Sequence, residues 1–559
     1  MNLGHESRRR RSPLACNTCR ARRTKCDGQR PKCSFCVERS KDCFYQESQG
    51  LAPDPQKLEL SRIWEQLQRI TEVVQGQSLN SSPSPKAQQP SVYSSIEFPI
   101  MVIQNTSFMN LLHLNQSLPV FLEDLERSRP EISPHPPRIP TVIIDHQRAS
   151  VLVNAFMEKI QIWYPVLHAE YSKEFVQAIT SCFPPSVESC LTLLVLAIGC
   201  VAECETIMDA MHTCAGGTYI QASMEMLPCV FADSSPRSAQ CLLLFGIYYL
   251  CYAQPCQAHD YVAMASYRLQ DYLINELSTD DDTIEASIFR NCFWSALLIE
   301  SEIRVQLDLV NSGIWNVASY SPGPVSSATR KWNQPQHFES PNSPDSTSDS
   351  DSDLSYFVAE IAMRNMLQRC TWSISTLSQG KHVYAPIVAA ELECQLDEWL
   401  HMLPEPISFG ASSSCTGDSW PNSARRTFLR TQYYAFKASI YWPAVYEALS
   451  AGKANDDLLL HVRKFFTSYA EFATSAASAV TVCKPNVWTL YASVFTISMA
   501  TSAALEDPSL SEGADFPSVS RGLRLAAELL ANMADVSPSL REMSVMLNDR
   551  VLQGNVSAI

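Results

Sequence analysis

Apolar residues recur along most of this chain at the spacing of a helix, not of a strand. Val153, Phe156, Ile160 and Trp163 keep a 3, 4, 3 interval up to Pro165, which predicts a helix stopped by the proline. Tyr261, Met264, Arg268, Leu269 and Tyr272 fit a second helix. Ile284, Ile288, Cys292, Ala296, Ile299 and Ile303 line one face of a longer third. Leu392, Leu396, Trp399, Leu400 and Leu403 form an apolar stripe ahead of Pro404. Cys190–Ala202 and Cys241–Tyr252 are apolar throughout and read as buried core helices. Neither reaches the roughly 18 residues of a membrane span, so no membrane partner is expected. Strand-like alternation is scarce. The fold expected is mostly α, with a large all-helical body.

A different pattern precedes that body. Leu60, Ile63, Leu67, Ile70 and Val74 recur at 3, 4, 3 and 4, an a/d seam flanked by Arg62, Glu65 and Arg69. Two heptads are visible, so residues 60–75 read as a short dimerising coiled coil. The same pattern also fits one amphipathic helix packed on the large domain. A polar tether, 47–59, leads into it. Residues 76–140 form a Pro/Ser-rich linker, interrupted by the apolar patch Phe98–Leu125. A helical middle domain is expected over 141–322 and a helical C-terminal regulatory region over 356–559. Between them the linker 323–355 ends in alternating Asp and Ser, Asp345–Asp353. That run reads as a solvated spacer or as an acidic activation or phosphoregulated segment.

Charge separates the first 46 residues from the rest. The 559-residue chain carries a formal −15, yet residues 1–46 hold twelve Lys/Arg against four acids, a net +8. The remainder is therefore −23, and a compact basic head on an acidic body suits a polyanionic partner for the head alone. Arg8–Arg11 has no apolar stretch behind it, which reads as a nuclear import signal or phosphate arm and not as a secretory leader. Twenty cysteines without a secretion route point to a reducing compartment, where spaced cysteines mean metal more often than disulfides.

Six of those cysteines are regularly placed. Cys16, Cys19, Cys26, Cys33, Cys36 and Cys43 read C-x2-C-x6-C-x6-C-x2-C-x6-C, the same x2, x6 spacing twice, with no histidine between. One structural zinc takes four ligands and would leave two reactive thiols over. Two zinc ions fit if two cysteines bridge both metals. Six thiolates and two Zn2+ add −2, so the loaded head keeps about +6 for phosphate. Leu14, Phe35, Val37 and Phe44 are nearly all the apolar residues available, so the metals must supply the core.

The stretch from Ala15 to Tyr45 resembles the binuclear zinc cluster of fungal transcription factors nearly position for position. The match includes the basic run after the second cysteine, the Cys26-Asp27 pair and Pro31 in the joining loop. The resemblance implies Cys16 and Cys33 as the bridging ligands. It implies that the helix end after Cys19 enters the major groove, with Arg22 and Arg23 on guanine edges and Arg20 and Lys25 on phosphates. It also implies a homodimer reading paired CGG triplets. Trp163-Tyr164-Pro165-Val166-Leu167-His168, and Arg290-Asn291-Cys292-Phe293-Trp294 with Glu300, resemble motifs of the middle homology region of the same proteins. Glu300 stands where that region usually has aspartate, and the Gly-Arg-Pro that normally follows is missing.

The expected function is that of a nuclear, sequence-specific transcription factor for RNA polymerase II genes, with pathway-specific control of metabolic genes as the narrower reading. Its partners would be double-stranded DNA, a second copy, and the transcription machinery or co-regulators. A helical cavity taking a small-molecule effector is compatible with this. An enzyme is the competing class, but no G-x-S-x-G, P-loop, H-E-x-x-H or G-x-G-x-x-G nominates a catalytic site. The fourteen other cysteines read mostly as buried thiols, and Cys200 with Cys204, one helical turn apart, is the pair with a redox spacing.

Overall fold

The computed structural model divides the chain into two compact units, Met1–Ala87 and Gln88–Ile559. In the first it describes residues 18, 19, 22, 24, 26, 32–39 and 41–43. In the second it describes 101–129, 144–168, 170–275, 283–325, 348–377, 384–410, 420–451, 456–512 and 514–557. Among these residues there is no strand, so the expected α class holds. The seam Leu60, Ile63, Leu67, Ile70, Val74 lies outside the described residues.

Among its described residues the head contributes the short helix α1 (Ser34–Glu38) and a helical Thr18-Cys19. In the body, α2 (Thr106–Leu111) and α3 (Leu118–Arg127) come first. Then follow α4 (His146–Lys159), α5 (Val187–Glu203), α6 (Ile207–Thr213), α7 (Gly217–Glu225), α8 (Pro236–Cys251), α9 (Pro255–Asn275) and α10 (Ile284–Gln306). The C-terminal half holds α11 (Ser348–Leu377), α12 (Pro386–Met402), α13 (Trp420–Ala451), α14 (Asp456–Val482), α15 (Val487–Glu506), α16 (Phe516–Met533) and α17 (Pro538–Ser557). Starts follow side chains that accept the free N–H groups of a first turn. Ser186 caps α5, Thr283 caps α10, and Thr206 with Asp209 makes a capping box on α6.

Helices α8 and α9 form one antiparallel pair and α13 and α14 another. Helix α15 packs against α8 and α10 on one side and α13, α14, α16 and α17 on the other. The middle and C-terminal regions therefore share one core. With the three residues before its start, α15 is long and apolar enough to cross a membrane, yet 94% of its most apolar 18-residue window is buried inside the body. Its threonines hide their hydroxyls by donating one turn back, Thr496 to Ala492 O and Thr501 to Ile497 O. Across the same joint Glu302 of α10 pairs with Arg364 of α11 and accepts from Gln432 of α13 at 2.8 Å. Burial pushes the carboxyl of the neighbouring Glu360, which also accepts from Arg364 at 3.4 Å, up to about 8.

Several sequence expectations shift. The helix begun at His146 ends at Lys159, not at Pro165. Ile160 and Trp163 are buried all the same, but in a turn that the Gln161 side chain holds by bonding both backbone groups of Leu167, 2.9 and 3.2 Å. On α9 the buried face is Ala258, Val262, Ala265 and Leu269; of the predicted Tyr261, Met264, Arg268, Leu269 and Tyr272, Leu269 lies on it and the other four are a step round. Those larger residues pack half-buried: Tyr261 stacks on Phe245 and Tyr249, and Arg268 donates to the carbonyls of Val230, Phe231 and Asp233. On α10 the predicted face is buried except Ile284, which is 43% exposed. Ser348–Asp353 of the acidic run, expected in the linker 323–355, opens α11. Glu300 replaces the expected aspartate by reaching Ser312 N, Ser312 Oγ and Ser266 Oγ at 2.5–3.0 Å, which fixes the loop after α10.

The apolar patch within 76–140 docks on the body instead of continuing the linker. Ile103, Phe108, Leu112 and Leu122 are fully buried, each contributing about 1.5–3 kcal/mol of transfer free energy. Phe108 meets Trp442 edge to face at 5.3 Å. At the end of α3, Glu126 is wholly buried at the start of α17. Its Oε1 accepts from Ser537 Oγ (2.5 Å), Ser539 Oγ (2.7 Å) and Ser539 N (3.2 Å), and its Oε2 from Arg129 at 2.9 Å. Arg129 also donates to Ala253 O and Val536 O. One buried ion pair thus joins the entry of the body to its last helix.

Candidate metal centre and nucleic-acid interface

Sulfur organises the head. The Sγ atoms of Cys19, Cys26 and Cys33 lie within 4.8 Å of one another, and so do those of Cys33, Cys36 and Cys43. Cys33 belongs to both groups. Cys19, Cys33, Cys36 and Cys43 are the buried side chains of the head among its described residues, with Cys26 and Phe35 half-buried against them. Tetrahedral zinc at about 2.3 Å from each thiolate spaces neighbouring sulfurs at about 3.8 Å. Cys19 and Cys33 stand at 3.7 Å. A core of close thiols with almost no apolar cover fits a metal-ligand set, and bound zinc would supply the cross-links that a hydrophobic core supplies elsewhere.

The sequence repeat reappears in the backbone. Five residues after the second cysteine of each half, an amide bonds back to that cysteine: Thr24 N to Cys19 O at 3.0 Å, and Lys41 N to Cys36 O at 2.9 Å. α1 starts from Cys33, whose carbonyl accepts from Cys36 and Val37, while its own amide donates to Cys43 Sγ at 3.3 Å. Thr18 Oγ1 donates to Asp42 O at 2.5 Å and ties one half to the other. This clamp had no signal in the spacing of the cysteines.

Thr18 and Cys19 are helical, and Arg22 follows in a turn whose amide bonds Thr18 O at 3.2 Å. The Arg22 side chain is exposed, as a groove-reading guanidinium must be. Cys16, Arg20, Arg23 and Lys25 lie outside the described residues. On the second half Lys32, Arg39 and Lys41 are also exposed, and Arg39 lies over the Phe35 ring at 5.1 Å. These bases were not singled out from sequence, although the internal repeat carries Arg22 onto Arg39 and Thr24 onto Lys41.

A basic, thiolate-built head on a helical body defines a DNA-binding regulator. Residues 14–51 match the fungal Zn(2)-Cys(6) binuclear cluster domain. A protein of Aspergillus rugulosus named as a candidate transcription factor, ecdB, is 32% identical over 571 positions, spanning 97% of this chain and 98% of that one. Transcription factor FBD3 of Gibberella moniliformis is 34% identical over 90 residues, 14% of this chain and 12% of its own. The maltose fermentation regulatory protein MAL13 of Saccharomyces cerevisiae is 40% identical over 82 residues, 15% of each chain. The chain belongs to the fungal Zn(2)-Cys(6) binuclear-cluster transcription factors. Its head carries two zinc ions and binds DNA, and the protein is a regulator of transcription.

Proposed function

We propose that this factor acts in the nucleus as a homodimer that reads CGG-type half-sites and regulates RNA polymerase II genes. Cys16, Cys19, Cys26, Cys33, Cys36 and Cys43 hold the two zinc ions, with Cys16 and Cys33 bridging. The observation that carries the reading is Cys33, shared by two thiol groups in a head whose core is otherwise sulfur. Arg22 and Arg23 read guanine, and Arg20 and Lys25 hold phosphates. The exposed Arg22 at the end of the first helical turn supports that assignment. The body recruits the transcription machinery or co-regulators and takes a small-molecule effector. That MAL13 is named for maltose fermentation supports control of metabolic genes.

Reading and sticking are separable. Arg23→Ala is expected to cost about 1–3 kcal/mol on a CGG-containing duplex and to flatten the preference among bases. Lys25→Ala is expected to weaken specific and scrambled duplexes alike and to lower the salt slope by about 1. Binding isotherms on both duplexes at two salt concentrations check this, and an unchanged base preference in Arg23→Ala would remove it from base reading. Assembly has its own test. Leu67→Pro is expected to break the 60–75 helix and weaken binding to paired half-sites far more than to a single one. Equal losses on both would show that this segment does not dimerise the protein on DNA.

A further inference from the structure

Three thiols far from the head in sequence line one cavity of about 590 Å3 in the body. Cys200 sits on the last turn of α5, Cys204 ends that helix, and Cys214 ends α6. Arg148, Glu203 and Tyr219 line the same space. Six of the twelve described cysteines of the body are buried. Burial pushes the thiols of Cys251 and Cys256 up to about 12, for instance. Cys214 is exposed, as Cys182 and Cys394 are, but it alone of these three lines the cavity, in a left-handed conformation with φ 47°.

The turn after Cys214 is pressed onto α5. Gly216 has φ +75°, and a Cβ there would lie 2.4 Å from Ala197 O, so glycine is what lets the two backbones meet. Gly216 lines the cavity together with Cys200 and Cys214. Cys214 is therefore held, two residues away, beside the face of α5 that presents Cys200. Cys204 turns back on its own helix, its Sγ donating to Cys200 O at 3.4 Å.

We propose that Cys214 and Cys200 are an oxidation-sensitive pair that a peroxide converts into a disulfide between α6 and α5. The exposed Cys214 thiol reacts first: peroxide transfers one oxygen to its sulfur, giving a sulfenic acid and water. Cys200, whose thiol burial pushes up to about 11, gives up its proton as it attacks that sulfur. The S–S bond forms, the S–O bond breaks, and the departing hydroxide takes the proton as a second water. A Cys200–Cys204 bond would restrain nothing beyond one helix end, whereas Cys200–Cys214 fixes α6 onto α5. The fixed end of α5 is also where Lys484, from the segment before α15, donates to the carbonyls of Val201 and Ala202, both at 3.2 Å. Oxidation would thus stiffen a joint between the middle and C-terminal regions of the body.

The test is hydrogen peroxide on the full-length, zinc-loaded protein, followed by blocking of free thiols and cleavage after glutamate. Glu203 and Glu205 then place the three cysteines on separate peptides. A Cys200–Cys214 linked peptide is expected in the wild type and in Cys204→Ser, and none in Cys214→Ser. Amide exchange in Ile207–Thr213 should slow on oxidation in the wild type and in Cys204→Ser, and not in Cys214→Ser. Cys214 recovered unlinked, as thiol or sulfinic acid, or linked to Cys204, overturns the proposal. Each peptide is read independently of the head, whose six thiolates lie on other fragments.

Discussion

Cys33→Ala is expected to cost the full-length protein both zinc ions, not one. The Cys33 sulfur lies in the Cys19–Cys26 group and in the Cys36–Cys43 group at once, so its loss leaves each site one thiolate short. Cys43→Ala touches one group and should leave the other ion in place. Structural zinc contributes on the order of 10–16 kcal/mol to a head of this kind, far beyond what Phe35 alone could replace. The Cys33→Ala head should accordingly unfold and lose specific DNA binding by a factor on the order of 10^3 or more, down to charge-driven contact. Metal analysis together with binding to a CGG-containing duplex checks both parts. Two ions retained by Cys33→Ala would show that Cys33 bridges nothing.

Glu126→Ala is the second large effect, and it falls on the body. It strands Arg129, whose side chain is 5% exposed, beside the hydroxyls of Ser537 and Ser539 that lose their acceptor. Breaking a buried pair from one side costs about 3–5 kcal/mol. Glu126→Gln keeps an acceptor at the same place and should cost clearly less. In Glu126→Ala/Arg129→Met the two losses should not add, because the stranded charge is gone. Urea melts of the purified protein followed by tryptophan fluorescence report the difference, since Trp488 bonds Ser539 within this cluster at 3.0 Å. A midpoint within error of wild type for Glu126→Ala would sink the clamp.

Cysteine spacing and basic charge were enough to place the head among metal-held DNA binders, because thiolates at fixed spacing have few other uses in a reducing compartment. The helical class of the body was legible for a similar reason: Ile288, Cys292, Ala296, Ile299 and Ile303 have one period and one face. What local pattern could not show was which polar groups would find distant partners. Gln161 ends a helix by capturing Leu167, and nothing in the 3, 4, 3 spacing up to Trp163 announces it. Arg268 and Tyr261 fall on a stripe that looks continuous, but the buried stripe beside it is made of smaller residues that let α8 and α9 approach. The patch around Phe108 had no place from sequence because its partners, Trp442 and the start of α17, are hundreds of residues away. The basic residues Arg39 and Lys41 were legible in principle, through the repeat, once the halves were compared residue by residue.

A head whose interior is sulfur asks little of its other side chains. Among the described residues, Arg22, Lys32, Val37, Arg39 and Lys41 are all exposed, and none fills space that the fold needs. Substitutions at such positions can alter which bases or phosphates are touched while the metals go on holding the chain in shape. Recognition and stability are thereby uncoupled, a separation that a groove-reading helix with its own packed core does not enjoy. Lineages carrying this scaffold can change their regulatory targets by drift over the surface, keeping six cysteines and rewriting the rest.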